Sequence, residues 1–334
     1  MKDIYFFGAG KADGSALDKN LLGGKGANLA EMTSLGIPVP PGFTISTDVC
    51  RYYMEKGSYP DDLDDQIQHS LSQVENIMGQ VFGDANNPLL VSIRSGARRS
   101  MPGMMETILN VGLTSKTIPG LIKKSSDERF VYDTYRRLIT MYADVVMEKA
   151  ADIEPLDGEG IREKLEKNME SMKQREGIKT DGDLSVKNLQ ELCDTYKTTI
   201  QETLKCDFPD DPKVQLWGGI TAVFKSWDGK RAVNYRNIEN IPHNWGTAVN
   251  IQSMVFGNMG RGSATGVAFT RNPSTGQNEF YGEWLPNAQG EDVVAGIRTP
   301  YPINNKSKNE LTKNNITLEE RFPKLYKQLI SIKL

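Results

Sequence analysis

The run Val91-Ser-Ile-Arg-Ser-Gly-Ala-Arg-Arg-Ser-Met-Pro-Gly-Met-Met-Glu-Thr-Ile-Leu-Asn-Val-Gly112 constrains this chain more than any other stretch. Leu89, Leu90, Val91 and Ile93 spell a short buried strand. The strand gives way to Arg94, Arg98 and Arg99 among Ser, Gly and Ala, which is cationic charge on a backbone with little side-chain bulk. A bulky polyanion can approach such a loop closely, and guanidinium forks match phosphate oxygens. The competing reading is a solvated basic turn. The Met-Pro-Gly-Met-Met turn that follows is small and soft, suited to a loop that re-packs.

A second segment, Leu21-Leu-Gly-Gly-Lys-Gly-Ala-Asn-Leu-Ala-Glu-Met-Thr-Ser-Leu-Gly36, points the same way. Leu22, Leu29, Met32 and Leu35 recur at near-helical spacing, which predicts a helix from about Ala27 to Leu35 with Gly36 as its C-terminal cap. Pro38, Pro40 and Pro41 then force an extended path. The helix opens directly after Gly-Gly-Lys-Gly, where backbone N–H groups and the Lys25 charge suit an anion. It is not a Walker A sequence, because Lys19 and Gly26 stand where that motif needs glycine and Ser or Thr. A plain glycine turn is the other reading.

The remainder reads as an α+β chain. Helical spacing runs through Asp61–Gly79, with His69 on its polar side as a surface residue, and through Arg129–Lys149, Glu159–Glu176, Ser185–Lys205 and Val214–Trp227. The middle of the chain, 114–209, has the lysine- and glutamate-rich texture of a helical insertion. Thr247–Phe256 spells a strand ending in a glycine break. Thr265–Trp284 spells a hairpin around Asn272-Pro-Ser-Thr-Gly276. Glu283, Gln289, Glu291 and Asp292 cluster near Gly290, either around a hard cation or paired with Arg271 and Arg298. Asn304–Asn315 reads as a solvated loop before a last helix near Leu318–Ile330. A formal net charge of −3 argues against nucleic acid, since the basic charge is local. Cys50, Cys193 and Cys206 lie far apart without metal-ligand spacing and read as reduced thiols. No apolar run is long enough for a bilayer and no secretory signal opens the chain, so the expected location is the cytoplasm.

Taken together, Leu21–Gly42, Val91–Gly112, Arg129–Glu148, Phe224–Arg236, Asn244–Asn258, Gly266–Gly276 and Asn287–Pro300 resemble, in order, the N-terminal nucleotide-binding domain of the pyruvate, phosphate dikinase family. Ser-Met-Pro-Gly-Met-Met, Trp-Gly-Thr-Ala-Val-Asn and Asn-Ala-Gln-Gly-Glu-Asp-Val-Val-Ala-Gly are its most specific spellings. The resemblance implies an ATP-grasp fold with a helical insertion subdomain. One lobe would comprise residues 1–113 and 210–255, the insertion 114–209, and the second lobe 256–334. It implies ATP as substrate with Mg2+ as its escort, and Lys25, Arg94 and Arg137 acting on the phosphates. Gly103, Met104 and Thr107 would contact the nucleotide from the loop and strand after Arg98, and the Arg98–Met105 loop would close over it. Gln252, Met254 and Val255 would line the adenine, and Glu283 and Gln289 would complete the nucleotide site. On its own spacing Arg137 reads as a salt-bridged helix residue; only the resemblance sends it to the phosphates. No residue is assigned as a metal ligand.

The resemblance also implies elements that this sequence does not contain. These are two further strands with an acidic pair and a Gln-Thr-Arg sequence, a phosphate-accepting histidine domain, and a pyruvate-binding barrel. Those domains are the expected partners, within a parent expected to be a homodimer; His243, in a proline turn, does not replace the missing histidine. This fragment alone is expected to be inactive. Two rival readings are a water-dependent phosphoenolpyruvate synthase-type dikinase and a non-catalytic nucleotide-binding module.

Overall fold

Thr247–Ser253 alternates small or polar residues with Val249 and Ile251, yet every one of its residues is buried. Such a strand needs a neighbour on each edge and a layer on each face. The computed structural model, which describes residues 2–156, 158–260, 262–294 and 299–333, supplies both. Two units result, residues 1–254 and 255–334.

In the first unit the strands are β1 (Ile4–Gly8), β2 (Lys11–Ala12), β3 (Gly42–Ile45), β4 (Val81–Phe82), β5 (Pro88–Leu89), β6 (Val91–Ala97), β7 (Thr107–Val111) and β8 (Thr247–Ser253). Six of them form an antiparallel sheet in the order β2-β1-β3-β8-β6-β7, and β4 pairs with β5 separately. The helices are α1 (Lys19–Ser34), α2 (Thr47–Lys56), α3 (Leu63–Met78), α4 (Ile118–Ser125), α5 (Glu128–Tyr142), α6 (Ile161–Glu176), α7 (Val186–Leu204), α8 (Pro212–Ser226) and α9 (Lys230–Ile238).

The register sorts the sheet into two faces. Phe43, Ile251 and Ile93 lie side by side on one of them, and Ile93 pairs on to Ile108. This apolar face receives α8, whose Gly219 lets the helix come so close that a Cβ there would stand 2.5 Å from Ile93 Cδ1. On the opposite face Thr44, Asn250, Arg94 and Thr107 form one row across β3, β8, β6 and β7. Helix α1 crosses that face. Farther along the chain, α5 packs on β7 and gathers α4 and α7, which in turn packs α6.

Three elements differ from the spacing-based expectation. Strand β6 does not stop at Ile93 but runs to Ala97, because Arg94, Ser95, Gly96 and Ala97 all pair with β8. Helix α1 starts at Lys19, not Ala27, and breaks at Gly23 (φ 66, ψ 174), so the glycine motif is a kink inside the helix. Its far end is as expected: the Gly36 N–H reaches Thr33 O (3.1 Å) with φ 79. Beyond α5, Ala143–Glu148 widens into a π turn where two carboxylates are buried. Asp144 there meets Lys149 and Arg162, and Glu148 accepts from the Ile161 N–H.

The second unit is a three-stranded antiparallel sheet, β11-β10-β9, from β9 (Ala264–Phe269), β10 (Tyr281–Pro286) and β11 (Tyr301–Pro302). Its helices are α10 (Gly290–Val294), α11 (Leu318–Arg321) and α12 (Pro323–Lys333). Trp284, Ile303 and Leu318 form its core, with Phe280, Phe322 and Tyr326 against them. The last helix is therefore two helices. Pro323 lacks the N–H that would continue α11 and pushes Phe322 out of the helical conformation (φ −131, ψ 64). The Asn304–Asn315 loop is anchored at its start, where Asn304 is buried and donates to Phe280 O (2.8 Å), and solvated at Leu311.

Candidate nucleotide-phosphate site

The two motifs that the sequence set apart, Gly23–Gly26 and Arg94–Arg98, meet on the polar face of the first sheet. A Cβ on Gly23 would lie 1.7 Å from Gly96 O, and one on Gly24 would lie 3.6 Å from Ala97 O. Only a residue without a side chain, at positive φ, permits this approach. Backbone is thus laid on backbone, with a kinked helix start on one side and the C-terminal half of β6 on the other.

Lys25 projects from the kink and is exposed. Its surroundings are nevertheless crowded, and burial followed by the neighbouring Arg94 guanidinium holds its pKa below the usual lysine value. Among the described residues no carboxylate forms an ion pair with it. Two cations held near each other on a glycine-lined surface make an arrangement that an anion stabilises. Arg94 sits in mid-strand, half-buried, with Thr107 directly beside it on β7 and Asn250 on β8. Asn250 was not singled out in the sequence. The signal was its polar side chain between Val249 and Ile251, on the same face as Gln252.

The other arginines are engaged elsewhere. The Arg98 guanidinium lies 5.3 Å from the Trp245 ring centre, and burial, then Arg51, lowers its pKa. Arg99 pairs with Glu239 Oε2 (2.7 Å) and donates to the Glu239 carbonyl (3.3 Å). Met101 is buried with Trp227, Ala232 and Ile241, and Met104 and Met105 pack against that cluster. The Met-rich loop carrying Gly103 (φ 71) and Met104 is therefore docked on the α8–α9 region. His243 is not an isolated ring: its Nδ1 accepts from Arg236 Nε (3.1 Å) and its Nε2 meets Asn237 Oδ1 (3.0 Å). Since arginine only donates, Nδ1 is the acceptor in that contact.

Arg137 lies on α5, where its Nε bonds Asp133 Oδ2 at 3.0 Å. Asp133 is also bonded by Arg136 NH2 at 2.7 Å. Burial alone would raise the Asp133 pKa, but Arg136 and then Arg137 outweigh it and hold it below its ordinary 3.8. A carboxyl depressed in the folded state contributes stability that is complete above the unfolded pKa and is lost as pH falls through the folded one. In denaturant melts, the stability gap between the wild type and Asp133→Asn is therefore expected to hold near neutrality. It should narrow below about pH 3.8.

Gln252 is 8% exposed, and its Nε2 donates to Pro40 O (3.0 Å). The Met254 N–H, just past β8, donates to Leu90 O (2.9 Å). Val255, Glu283 and Gln289 belong to the second unit, which is described by itself. Val255 and Glu283 are exposed. Gln289 keeps a buried Nε2 with no hydrogen bond among the described residues, and its N–H donates to Asp292 Oδ2 (2.8 Å). Arg271 bonds Gly276 O and closes the hairpin turn. The Glu291 side chain and Arg298 lie outside the described residues. Among the described residues no three His, Cys, Asp or Glu side chains stand together as a metal site. All three cysteines are free thiols, and no helix among the described residues is long and apolar enough to cross a membrane.

Residues 19–77 and 56–328 match the family described as pyruvate phosphate dikinase, AMP/ATP-binding domain. The chain is 52% identical over 333 residues to pyruvate, phosphate dikinase of Rhizobium meliloti (strain 1021), covering 99% of this chain and 36% of that protein. The Clostridium symbiosum enzyme of the same name is 49% identical over 322 residues, 96% of this chain and 34% of the relative. The chloroplastic pyruvate, phosphate dikinase 1 of Arabidopsis thaliana is 49% identical over 332 residues, 99% and 32%. The chain thus spans about a third of the length of these relatives.

Proposed function

The chain belongs to the family of pyruvate phosphate dikinase AMP/ATP-binding domains, and we propose that it seats ATP for pyrophosphoryl transfer to a histidine on another domain of the full-length enzyme. The complete reaction would convert ATP, pyruvate and phosphate to AMP, phosphoenolpyruvate and diphosphate. The observation that carries this reading is the seating of the Gly23–Gly26 kink on Gly96–Arg98, which brings Lys25 within electrostatic reach of Arg94.

In this reading Lys25 and Arg94 hold the triphosphate, Lys25 as a point charge and Arg94 as a fork. Thr107 adds a hydroxyl beside Arg94, and Arg137 assists from α5. Gln252, Met254 and Val255 line the adenine, Glu283 and Gln289 complete the site, and Gly103 and Met104 ride on a loop that leaves its dock to cover the nucleotide. This assignment makes the fold an ATP-grasp. Phosphoryl transfer needs positioning and charge neutralisation more than covalent help from the protein, and these residues offer both. Magnesium would enter as the counter-ion of ATP and neutralise part of the triphosphate charge.

The test uses the full-length enzyme that carries this sequence, supplied with ATP, Mg2+ and pyruvate. Phosphoenolpyruvate formation that requires inorganic phosphate and releases diphosphate is the expected result. Turnover without phosphate would move the chain to the water-dependent dikinases.

A further inference from the structure

Beneath the kink lies a buried polar pair. Thr44 Oγ1 donates to Asn250 Oδ1 at 2.8 Å, and Asn250 is 1% exposed. Its Nδ2 is buried and has no hydrogen-bond partner among the described residues. Two glycines of the two phosphate motifs close over the same carboxamide. A Cβ at Gly26 would stand 2.8 Å from Thr44 Oγ1 and 3.0 Å from Asn250 Oδ1, while one at Gly96 would stand 2.6 Å from Asn250 Nδ2. Asn250 also faces Arg94 across the β6–β8 ladder.

A buried amide lacking one bond is costly in a core that aliphatic residues would otherwise fill. Leucine or valine here would meet the helix and the strand without direction. Asparagine, oriented by Thr44, lies under both motifs, its Oδ1 below Gly26 and its Nδ2 below Gly96. It also puts no negative charge beside Lys25 and Arg94. We propose that Asn250, keyed by Thr44, is the positioning residue that sets the spacing between the Gly23–Gly26 kink and β6, and so between Lys25 and Arg94. Its role is to adjust the site to a polyphosphate rather than to a single phosphate. The inference rests on the ATP-binding reading above.

The experiment compares Mg2+·ATP with AMP in calorimetric titrations of the full-length enzyme that carries this sequence, its acceptor histidine replaced by alanine, for the otherwise wild-type protein, Asn250→Asp, Asn250→Ser and Thr44→Val, with thermal melts alongside. Asn250→Asp keeps the size and the acceptor for Thr44 but replaces the Nδ2 donor with carboxylate oxygen next to Arg94. It is expected to reduce the preference for ATP over AMP by at least about tenfold, with AMP affinity changed less than about threefold. Thr44→Val, which frees the amide to rotate, should move the ratio the same way by a smaller factor. A role in folding alone would lower the melting temperature and weaken both nucleotides together. If folded variants keep the wild-type ratio, the inference is overturned; should Asn250→Asp not fold, Asn250→Ser and Thr44→Val decide it. If the wild type itself shows no preference for ATP, it is the ATP-binding reading that fails.

Discussion

Replacing Arg94 by lysine in the full-length enzyme is expected to slow single-turnover phosphorylation of the acceptor histidine by on the order of 10²–10³-fold, nearly as much as Arg94→Ala. The reason is placement. Arg94 lies in mid-strand, paired in register with Thr107 on one side and with Asn250 of the fully buried β8 on the other. Such a platform holds its charge where negative charge develops without reorganising, and lysine keeps the charge but loses the two-pronged geometry. Lys25, on a glycine kink and exposed, should tolerate Lys25→Arg better than Lys25→Ala. A folded Arg94→Lys enzyme with a near-normal rate would make Arg94 a diffuse or structural charge. The clamp would then have to pass to Arg98, Arg99 or Arg137, each of which must first leave its present partner, Trp245, Glu239 or Asp133.

Gly23→Ala is the second large effect. At φ 66 and ψ 174 the backbone is in a region essentially reserved for glycine, so alanine costs roughly 1–3 kcal/mol by itself. Its Cβ would also stand 1.7 Å from the Gly96 carbonyl oxygen, a backbone atom that cannot rotate away. The kink and β6 must part, and the expected loss exceeds about 3 kcal/mol of stability, at the upper end for single substitutions. Gly36→Ala is the matched comparison, with φ 79 and no atom within 4 Å of its Cβ, so about 1 kcal/mol is expected there. Equal melting temperatures for the two variants would show that the kink does not rest on β6.

How much of this could be read from the residues depends on whether the cause was local. Helix α3, the Gly36 cap, the β9–β10 hairpin and the strand around Val249 and Ile251 follow from periodicity and turn chemistry confined to each segment. The start of α1 could not be read that way, because the break lies at Gly23 and is explained only by Gly96, which is distant in sequence. The same holds for β6, prolonged by its pairing with β8, and for the Met-rich loop. Its flexible, soft residues suit that loop to re-packing, but the pocket that Trp227, Ala232 and Ile241 build for Met101 comes from residues distant in sequence. Lys25 and Arg94 were visible as cations near glycines. Asn250 was not, since a polar residue inside an apolar strand shows its purpose only when the opposite row, Thr44 and Arg94, is known.

The central claim is that Lys25 and Arg94 together receive the phosphate tail of ATP. Calorimetric titration of the full-length enzyme, its acceptor histidine replaced by alanine, with Mg2+·ATP and with AMP, for the otherwise wild-type protein, Lys25→Ala and Arg94→Ala, tests it most directly. The account predicts tighter binding of ATP than of AMP in the wild type. Each variant should lose about one to two decades of ATP affinity, as expected for one charge-assisted contact of roughly 1.5–3 kcal/mol, while AMP affinity stays nearly constant. Folded variants that bind ATP as the wild type does, or that lose AMP and ATP equally, would contradict it.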